Sequence, residues 1–397
     1  SGGLPHLDGA GRVHSPIIDT LSQRRSILPD GSSFAQVADA VLTANAGAAE
    51  AELRVARLSA KAKSKNWLPS IGPDVSLTSL GSLAASLLLD QAVFDNGRRK
   101  AEREFAAADV EVAAVSLATD LNGRVHEGLK LYIEAQRAGE LAGITETALI
   151  RMRDFARVMT IRVEGGISDR SEYRIVEQKL AEMEAMLLQQ QEAERTAWAE
   201  LAAMSAGDLS GLSGLAPLPG DAGAPEPLGV LVARGEAART AAEVKLARAG
   251  LLPGFGAKAS VDKGGALNAG LSLDGEGLGF GRRDKLRALD EAEEVSRRRV
   301  AEAEEDAARR IVALEREIAT LEARQAQQAK LIAQMSSNLD LFTEQYKAGR
   351  RSLIDLVGQF ETLVSLKQDQ ASLAYAAAVA RLDIARERGV LVDGDRI

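Results

Sequence analysis

The stretch "LFTEQYKAGRRSLIDLVGQFETL", residues 341–363, breaks a helical pattern. Apolar residues at helical spacing precede and follow the break, which reads Lys-Ala-Gly-Arg-Arg-Ser: Leu341, Phe342, Tyr346, then Leu353, Leu356, Val357 and Phe360. A second stretch, "IRVEGGISDRSEYRIVE", residues 161–177, has the same form. The chain therefore has two matching breaks between helices, and they indicate how it is organised.

Two further pairs of stretches recur in the same order as the breaks. "WLPSIG" at residues 67–72 is matched by "LLPGFG" at residues 251–256, and "FDNGRRK" at residues 94–100 by "FGRRDK" at residues 280–285. The number of residues that separates the two members of a pair is nearly the same in all three pairs. Three matched pairs at one separation predict a duplicated structural unit.

Each unit is predicted to contain a helix, two short strands, a very long helix, the break and a moderate helix. In the first unit these are residues 33–65, 71–94, 98–162 and 168–205; in the second, 227–249, 255–273, 282–347 and 352–388. The predicted organisation is an irregular N-terminal arm (1–32), a first repeat (33–205), a Gly/Pro-rich linker (206–227), a second repeat (228–389) and a tail (390–397).

The long helices carry the spacing of coiled coils. Apolar residues step by three and four along both repeats, at Val176, Leu180, Met183 and Leu187 and at Ile311, Leu314, Ile318 and Leu321, and Gln325 and Gln328 continue the second seam. A helix of such length reaches about 100 Å at 1.5 Å per residue. A single hairpin this long cannot bury its own seam, so we expect neighbouring hairpins to pack side by side.

The predicted strands alternate apolar and polar residues. Phe255, Ala257, Ala259 and Val261 share one face in the second unit, and the first unit repeats the pattern more weakly. One such hairpin is typical of a half-buried strand pair in a soluble protein. Two hairpins at matching positions of a duplicated unit favour tilted strands that cross a membrane, which need about ten residues each.

Composition excludes several classes of function. The 397 residues are 46% hydrophobic and 27% charged but only 4% aromatic, which suits long packed helices. The net charge of −8 argues against a nucleic-acid partner. The chain has no Cys, and no apolar run approaches the about 20 residues of a membrane-spanning helix.

No arrangement of residues indicates catalysis, a metal or a cofactor. The chain has three histidines: His6 and His14 fall in the N-terminal arm, and His126 lies on a long helix without a second ligand at metal spacing. "GEGLGFG", residues 275–281, lacks the Gly-Lys-Ser/Thr of a phosphate loop, so we interpret it as a bend between strand and helix. We therefore expect a protein that is not an enzyme, with a structural His126.

These motifs resemble those of the TolC-type outer membrane efflux and secretion channels. That family shows "LP" ahead of a strand, an F-D-x-G-R-R entry to a long helix, and a Y-x-x-G-x-x-(S/T)-(I/L)-x-D break. The resemblance covers residues 33 to about 391, in both halves. It implies a mostly α chain whose antiparallel coiled-coil hairpins form an α-barrel tunnel. It also implies four strands per chain, which contribute to a twelve-stranded β-barrel in a homotrimer.

The resemblance assigns roles to residues at the breaks, which become the periplasmic tips. Polar links that close the tunnel fall on Tyr346, Arg351 and Glu172, and the acid that rings the pore falls on Asp355. The turn and adaptor-docking positions are Gly166, Gly349, Ile167 and Arg350. Gly358 stands where the family carries a second acid, which argues against a double acidic ring.

The implied function is a passive conduit of an efflux pump or type I secretion system in a Gram-negative outer membrane, with a long periplasmic portion. Its implied partners are two further copies of the chain, a periplasmic adaptor, an inner-membrane transporter and outer membrane lipid. The alternative is a soluble periplasmic coiled-coil scaffold without a barrel. The strand alternation favours the conduit, whereas the scarcity of aromatic residues favours the scaffold.

Overall fold

A computed structural model describes residues 4–68, 70–79, 82–219, 224–251, 254–261, 267–274 and 281–397. Helices dominate it, in the order β1 (His6–Leu7), β2 (Val13–His14), α1 (Pro16–Ser22), α2 (Ser33–Thr43), α3 (Ala48–Lys63), β3 (Ser70–Ser79), β4 (Ser82–Phe94), α4 (Arg98–Glu164), α5 (Arg170–Met204), α6 (Leu228–Gly250), β5 (Gly254–Val261), β6 (Leu267–Asp274), α7 (Arg282–Lys347) and α8 (Leu353–Glu387). A short 3₁₀ turn, Gly394–Arg396, follows α8.

The four longest helices pack in pairs, α4 with α5 and α7 with α8, and the pairs join where α4 packs against α8. The predicted seams face these contacts. Val176 and Met183 are buried on α5, Leu321 is buried on α7, and Leu180 and Leu187 pack against the same core. The coiled-coil spacing is therefore confirmed as the basis of helix pairing. Nearer the strands, α3 and α6 pack on α4, and α6 also packs on α7.

Strands β3 to β6 form one antiparallel sheet in the order β3-β4-β5-β6, and β1 and β2 form a separate pair. The two predicted hairpins are adjacent within it, since β4 pairs with β5 in a register that sets Leu87 opposite Val261. Strands β3 and β6 each have one neighbour among the described strands. The described part of the chain excludes most side chains of these strands, the hairpin turns and residues 275–280. The predicted alternation of strand faces and the predicted bend therefore lie outside it.

The buried apolar residues form two main clusters along the long helices. The middle core gathers residues from α2, α3, α4, α5, α8 and the C-terminal segment, including Phe34, Val41, Leu129, Tyr132 and Leu382. The tip core lies toward the breaks and includes Met152, Phe155, Val176, Val357 and Phe360. Each long helix therefore contributes to a core in at least one half of its length.

The structure corrects two predictions for the N-terminal part of the chain. The single helix expected over residues 33–65 is two helices, α2 and α3, because Gly47 adopts a left-handed conformation with φ +70° before α3. The break lets α2 turn its apolar face onto α4, where Val41 packs beside Gly128. The N-terminal arm is also not irregular throughout, since it contains the β1–β2 hairpin and α1.

The segment between the repeats has no regular structure over the described residues 205–219 and 224–227, but it packs on the helices. Its apolar residues Leu209, Leu212, Leu215 and Leu218 contact the middle core. The C-terminal segment is also fastened there, because Leu391 N–H donates to Asn122 Oδ1 at 2.9 Å. None of the helices in the described ranges combines the length and hydrophobicity that a membrane-spanning helix needs.

Candidate functional site

Both breaks are tight turns of one geometry. Gly166 and Gly349 have φ +70° and +73°, and their N–H groups donate to the carbonyls of Val163 and Tyr346. The next residue in each turn reaches back five positions, at 2.8 Å from Ile167 N to Arg162 O and 2.8 Å from Arg350 N to Gln345 O. These paired bonds form the Schellman motif, in which glycine relieves the left-handed strain. The predicted reversals at Gly166 and Gly349 therefore have a defined local cause.

The helix that follows each turn has its N-cap residue three positions after the glycine. Asp169 caps α5, accepting the N–H groups of Ser171 at 2.7 Å and Glu172 at 3.1 Å. Its pKa is lowered, first by the Ser171 hydroxyl and then by the backbone N–H groups. Ser352 caps α8 and accepts the Asp355 N–H at 3.1 Å. Asp169 was missed in the sequence, although its position after the turn is the signal of an N-cap.

The two acids predicted to gate the pore occupy equivalent positions but different environments. The Asp355 carboxylate accepts the Ser352 N–H at 3.4 Å and completes a capping box, although the side chain remains exposed. Glu172 is the matching residue of α5, and among the described residues its carboxylate has no hydrogen-bond or ion-pair partner. The first tip therefore presents an acid that is free to reach outward.

Tyr346 contacts the other tip of its own chain. The Arg162 guanidinium lies 5.8 Å from the centre of the Tyr346 ring, and its Nε donates to Ser168 Oγ at 3.1 Å. This cation–π contact joins the ends of α4 and α7. Arg162 was also missed in the sequence, because nothing in its own helix indicates which ring it meets.

Arg351 is held by residues of α7. Its guanidinium carbon lies 4.4 Å from the centre of the Phe342 ring, and its Nε donates to Gln345 Oε1 at 3.1 Å. The side chain is nevertheless exposed, as is Arg350. Within the described part of the chain, no hydrogen bond or ion pair joins Tyr346, Arg351 and Glu172 to one another.

The tip core packs between the helices that lead into and out of the two turns. The rings of Phe155 on α4 and Phe360 on α8 meet edge to face at 5.6 Å, and the Arg151 guanidinium lies 5.7 Å and 5.3 Å from their centres. Leu353 and Val357 are buried in the first turns of α8. The start of α8, with Asp355, is therefore anchored to α4.

Apolar side chains remain exposed at the tip and on the outer helices. Ile167, in the first turn, is 68% exposed. Others project from α3, α5 and α7: Val55, Leu58, Ile175, Met186, Leu188, Val295, Val312, Leu331 and Leu341. Helices α5 and α7 are the outer members of the four-helix layer, and most of these exposed side chains lie on them.

His126 has a polar partner inside the bundle. It is 5% exposed, and its Nε2 lies 2.5 Å from Asp383 Oδ1 on α8. This contact accounts for a histidine on a buried helix face without a metal. Within the described ranges, no group of three or more His, Cys, Asp or Glu residues has an arrangement that suits a metal ion.

Comparison with known proteins finds the same fold in outer membrane channels. VceC from Vibrio cholerae superposes with a TM-score of 0.80 at 16% identity, over 90% of this chain and 96% of that one. OprN gives 0.78 at 17%, over 93% of both chains. CmeC from Campylobacter jejuni gives 0.76 at 12%, over 91% and 86%.

No protein-family model matches the sequence, and no curated protein matches it significantly. The likeness is therefore one of structure, and it extends over nearly the whole chain at low sequence identity. The resemblance inferred from the duplicated motifs is confirmed at this level. The chain has the fold of the TolC-type outer membrane channels.

Proposed function

We propose that the chain is one protomer of a homotrimeric channel that conducts solutes across the periplasm and outer membrane, in an efflux pump or type I secretion system. The exposed apolar side chains of α5 and α7 carry this proposal. When copies of the chain are related by rotation about one axis, an outer helix of one copy packs against an outer helix of the next. These contacts bury the exposed apolar side chains and close the layer of helices into a tube. The full-length structural likeness to outer membrane channels supports the same assembly.

The sheet supports pairing between copies of the chain. Its edge strands β3 and β6 each have an open hydrogen-bonding edge among the described strands. Lipid cannot satisfy such an edge, so strands of neighbouring copies have to pair. Three copies of four strands then form a twelve-stranded barrel, and α4 and α7 extend from it by about 100 Å to the tips.

For the gate, we propose a link between neighbouring copies. Glu172 of one copy accepts from Arg351 or Tyr346 of the next, because the Glu172 carboxylate is free and Arg351 is exposed at the other tip. Three copies of Asp355 then surround the axis at the start of α8. A ring of carboxylates at a constriction favours cations over anions.

The tip surface supports a role in docking. Ile167 and Arg350 are exposed on the turns that Gly166 and Gly349 form, which is the end of the tube farthest from the strands. We propose that a periplasmic adaptor binds these turns and couples the conduit to an inner-membrane transporter. The protein then resides in the outer membrane with a long periplasmic portion.

Two measurements on the purified full-length protein test the conduit. Native mass spectrometry is expected to give a trimer, and a planar lipid bilayer is expected to give single-channel events. The double variant Arg351→Ser/Tyr346→Leu is expected to raise conductance, whereas Arg170→Ser, an exposed tip substitution outside the proposed link, is the control. A monomer without channel events would contradict the conduit and support the coiled-coil scaffold.

A further inference from the structure

The apolar core of the long helices is interrupted at one level between the middle core and the tip core. On α4, the buried residues between Ile133 and Ala148 are mostly small or polar: Ala135, Ala138, Ala142 and Thr145, with Leu141 as the one large apolar member. Buried alanines remove little apolar surface from water compared with Leu, Ile or Phe. This level is therefore held by less hydrophobic burial than the cores on either side.

A hydrogen-bonded group replaces the missing apolar contacts. Thr145 is fully buried, and its Oγ1 lies 2.7 Å from Gln190 Oε1 on α5 and 2.9 Å from the Leu141 carbonyl, two acceptors for one hydroxyl proton. The same oxygen accepts Gln368 Nε2 from α8 at 2.8 Å. One hydroxyl thus links three helices, and Thr145, Gln190 and Gln368 are called the polar layer below.

The seam of α7 is polar in the corresponding gap. Gln325 and Gln328 follow Leu321, which packs on Leu373 and Ala377 of α8, and they precede Ile332, which packs on the tip core. Gln328 Oε1 is buried without a hydrogen-bond partner in the described part of the chain. A buried acceptor without a hydrogen bond destabilises the packing around it. Helix α7 therefore has a weak point beside the polar layer, between the cluster of Leu321, Leu373 and Ala377 and the tip core.

We propose that the polar layer is the hinge on which the tip half of each hairpin pair moves relative to the middle half, with its hydrogen bonds holding the closed arrangement. This inference rests on the proposed gated conduit. Rigid cores on both sides move as units, and the hinge forms where separation exposes little apolar surface. The polar layer re-forms in one helix register because its three side chains form specific hydrogen bonds with one another. An apolar layer would let the helices slip in register or would hold them too tightly to move.

Hydrogen exchange of the assembled protein, read by mass spectrometry, tests the hinge. In the wild type, amides of residues 146–187 and 332–364 are expected to exchange at least about tenfold faster than those of residues 110–133 and 375–385. The variant Thr145→Val/Gln190→Leu/Gln368→Leu makes the polar layer apolar and is expected to slow the first set by about tenfold. Gln368→Met alone, nearly isosteric, provides a milder variant.

The matched control is the variant Thr147→Val/Gln189→Leu. It makes the same kinds of substitution at exposed positions, two residues from Thr145 and one residue from Gln190. Equal exchange on both sides of the polar layer in the wild type would overturn the hinge, as would equal slowing by the control. A polar layer that only sets helix register gives no exchange boundary. Channel events without the exchange boundary would reject the hinge but not the conduit. An exchange boundary without channel events would reject the conduit and would leave a protein whose two halves move separately.

Discussion

The guanidinium of Arg162 lies 5.8 Å from the ring of Tyr346, so the last turn of α4 contacts the last turn of α7 where both long helices end. This contact connects the first repeat to the second at the tip. Tyr346 therefore has a partner within its own chain, in addition to the link that we propose between copies. Both contacts involve the residue that ends the apolar pattern of α7.

The ring of Tyr346 is expected to matter more than its hydroxyl for the Arg162 contact. Tyr346→Phe keeps the cation–π contact, whereas Tyr346→Leu and Arg162→Gln remove it and loosen the tip. At an exposed site this contact contributes about 0.5–1 kcal/mol. Single-channel recording is expected to show a higher open fraction for Leu and Gln than for Phe.

Arg157→Gln is the control for this prediction, since Arg157 is exposed on the same helix and pairs with Asp154. Equal effects of Tyr346→Phe and Tyr346→Leu would instead assign the role to the hydroxyl.

Alanine at either tip glycine is expected to destabilise the protein by strain alone. No atom lies within 4 Å of a Cβ added at Gly166 or Gly349, so the cost comes from φ +70° and +73°. That cost is about 1–2 kcal/mol per site. Gly358→Ala, inside α8 and equally uncrowded, is expected to stabilise by about 0.5–1 kcal/mol. Denaturant unfolding measures all three, and a similar loss at Gly358 would refute strain as the cause.

Arg24 is expected to be essential for joining the termini. It is 6% exposed, and it donates to the Arg388 carbonyl at 2.6 Å and the Glu226 carbonyl at 2.7 Å. Burial lowers its pKa, and Glu226 opposes that shift. Arg24→Gln cannot satisfy both carbonyls and is expected to lower the free energy of unfolding by about 2 kcal/mol.

Arg25→Gln, at the exposed neighbouring position, is expected to change the free energy of unfolding by less than about 0.5 kcal/mol. Equal losses for the two variants in urea titrations would show that the buried donor bonds contribute little.

Glu111 is expected to make stability fall as pH rises through the acidic range. It is 1% exposed and accepts the Ser15 hydroxyl, and burial raises its pKa, with the Ser15 bond opposing. The folded state therefore binds more protons than the unfolded state, so stability is lost from the ordinary Glu value of about 4.3 upward to the raised pKa.

Glu111→Gln keeps an acceptor for Ser15 and removes the titration, so its unfolding free energy is expected to fall less with pH over that window than that of the wild type. The exposed Glu52→Gln variant should follow the wild type. Parallel pH profiles for the wild type and Glu111→Gln would contradict a raised pKa in the folded protein.

Local chemistry was enough to predict most of the long elements. The helix predicted over residues 282–347 is α7 with the same bounds, and that over residues 98–162 differs from α4 only at its end. The two turns were also predicted, because Gly166 and Gly349 interrupt apolar periodicity and are followed by N-cap residues. The break at Gly47 was not, since apolar residues continue on both sides of it.

Local sequence was sufficient for the long helices, the strands and the two turns, because these follow from hydrophobic spacing and glycine conformation within a few residues. Packing between helices was needed to show that Tyr346 meets Arg162 and that Thr145 joins Gln190 to Gln368. These contacts depend on which helix faces lie together and at what height. A local pattern of apolar residues specifies a face, but packing of distant segments selects the side chains that meet across it.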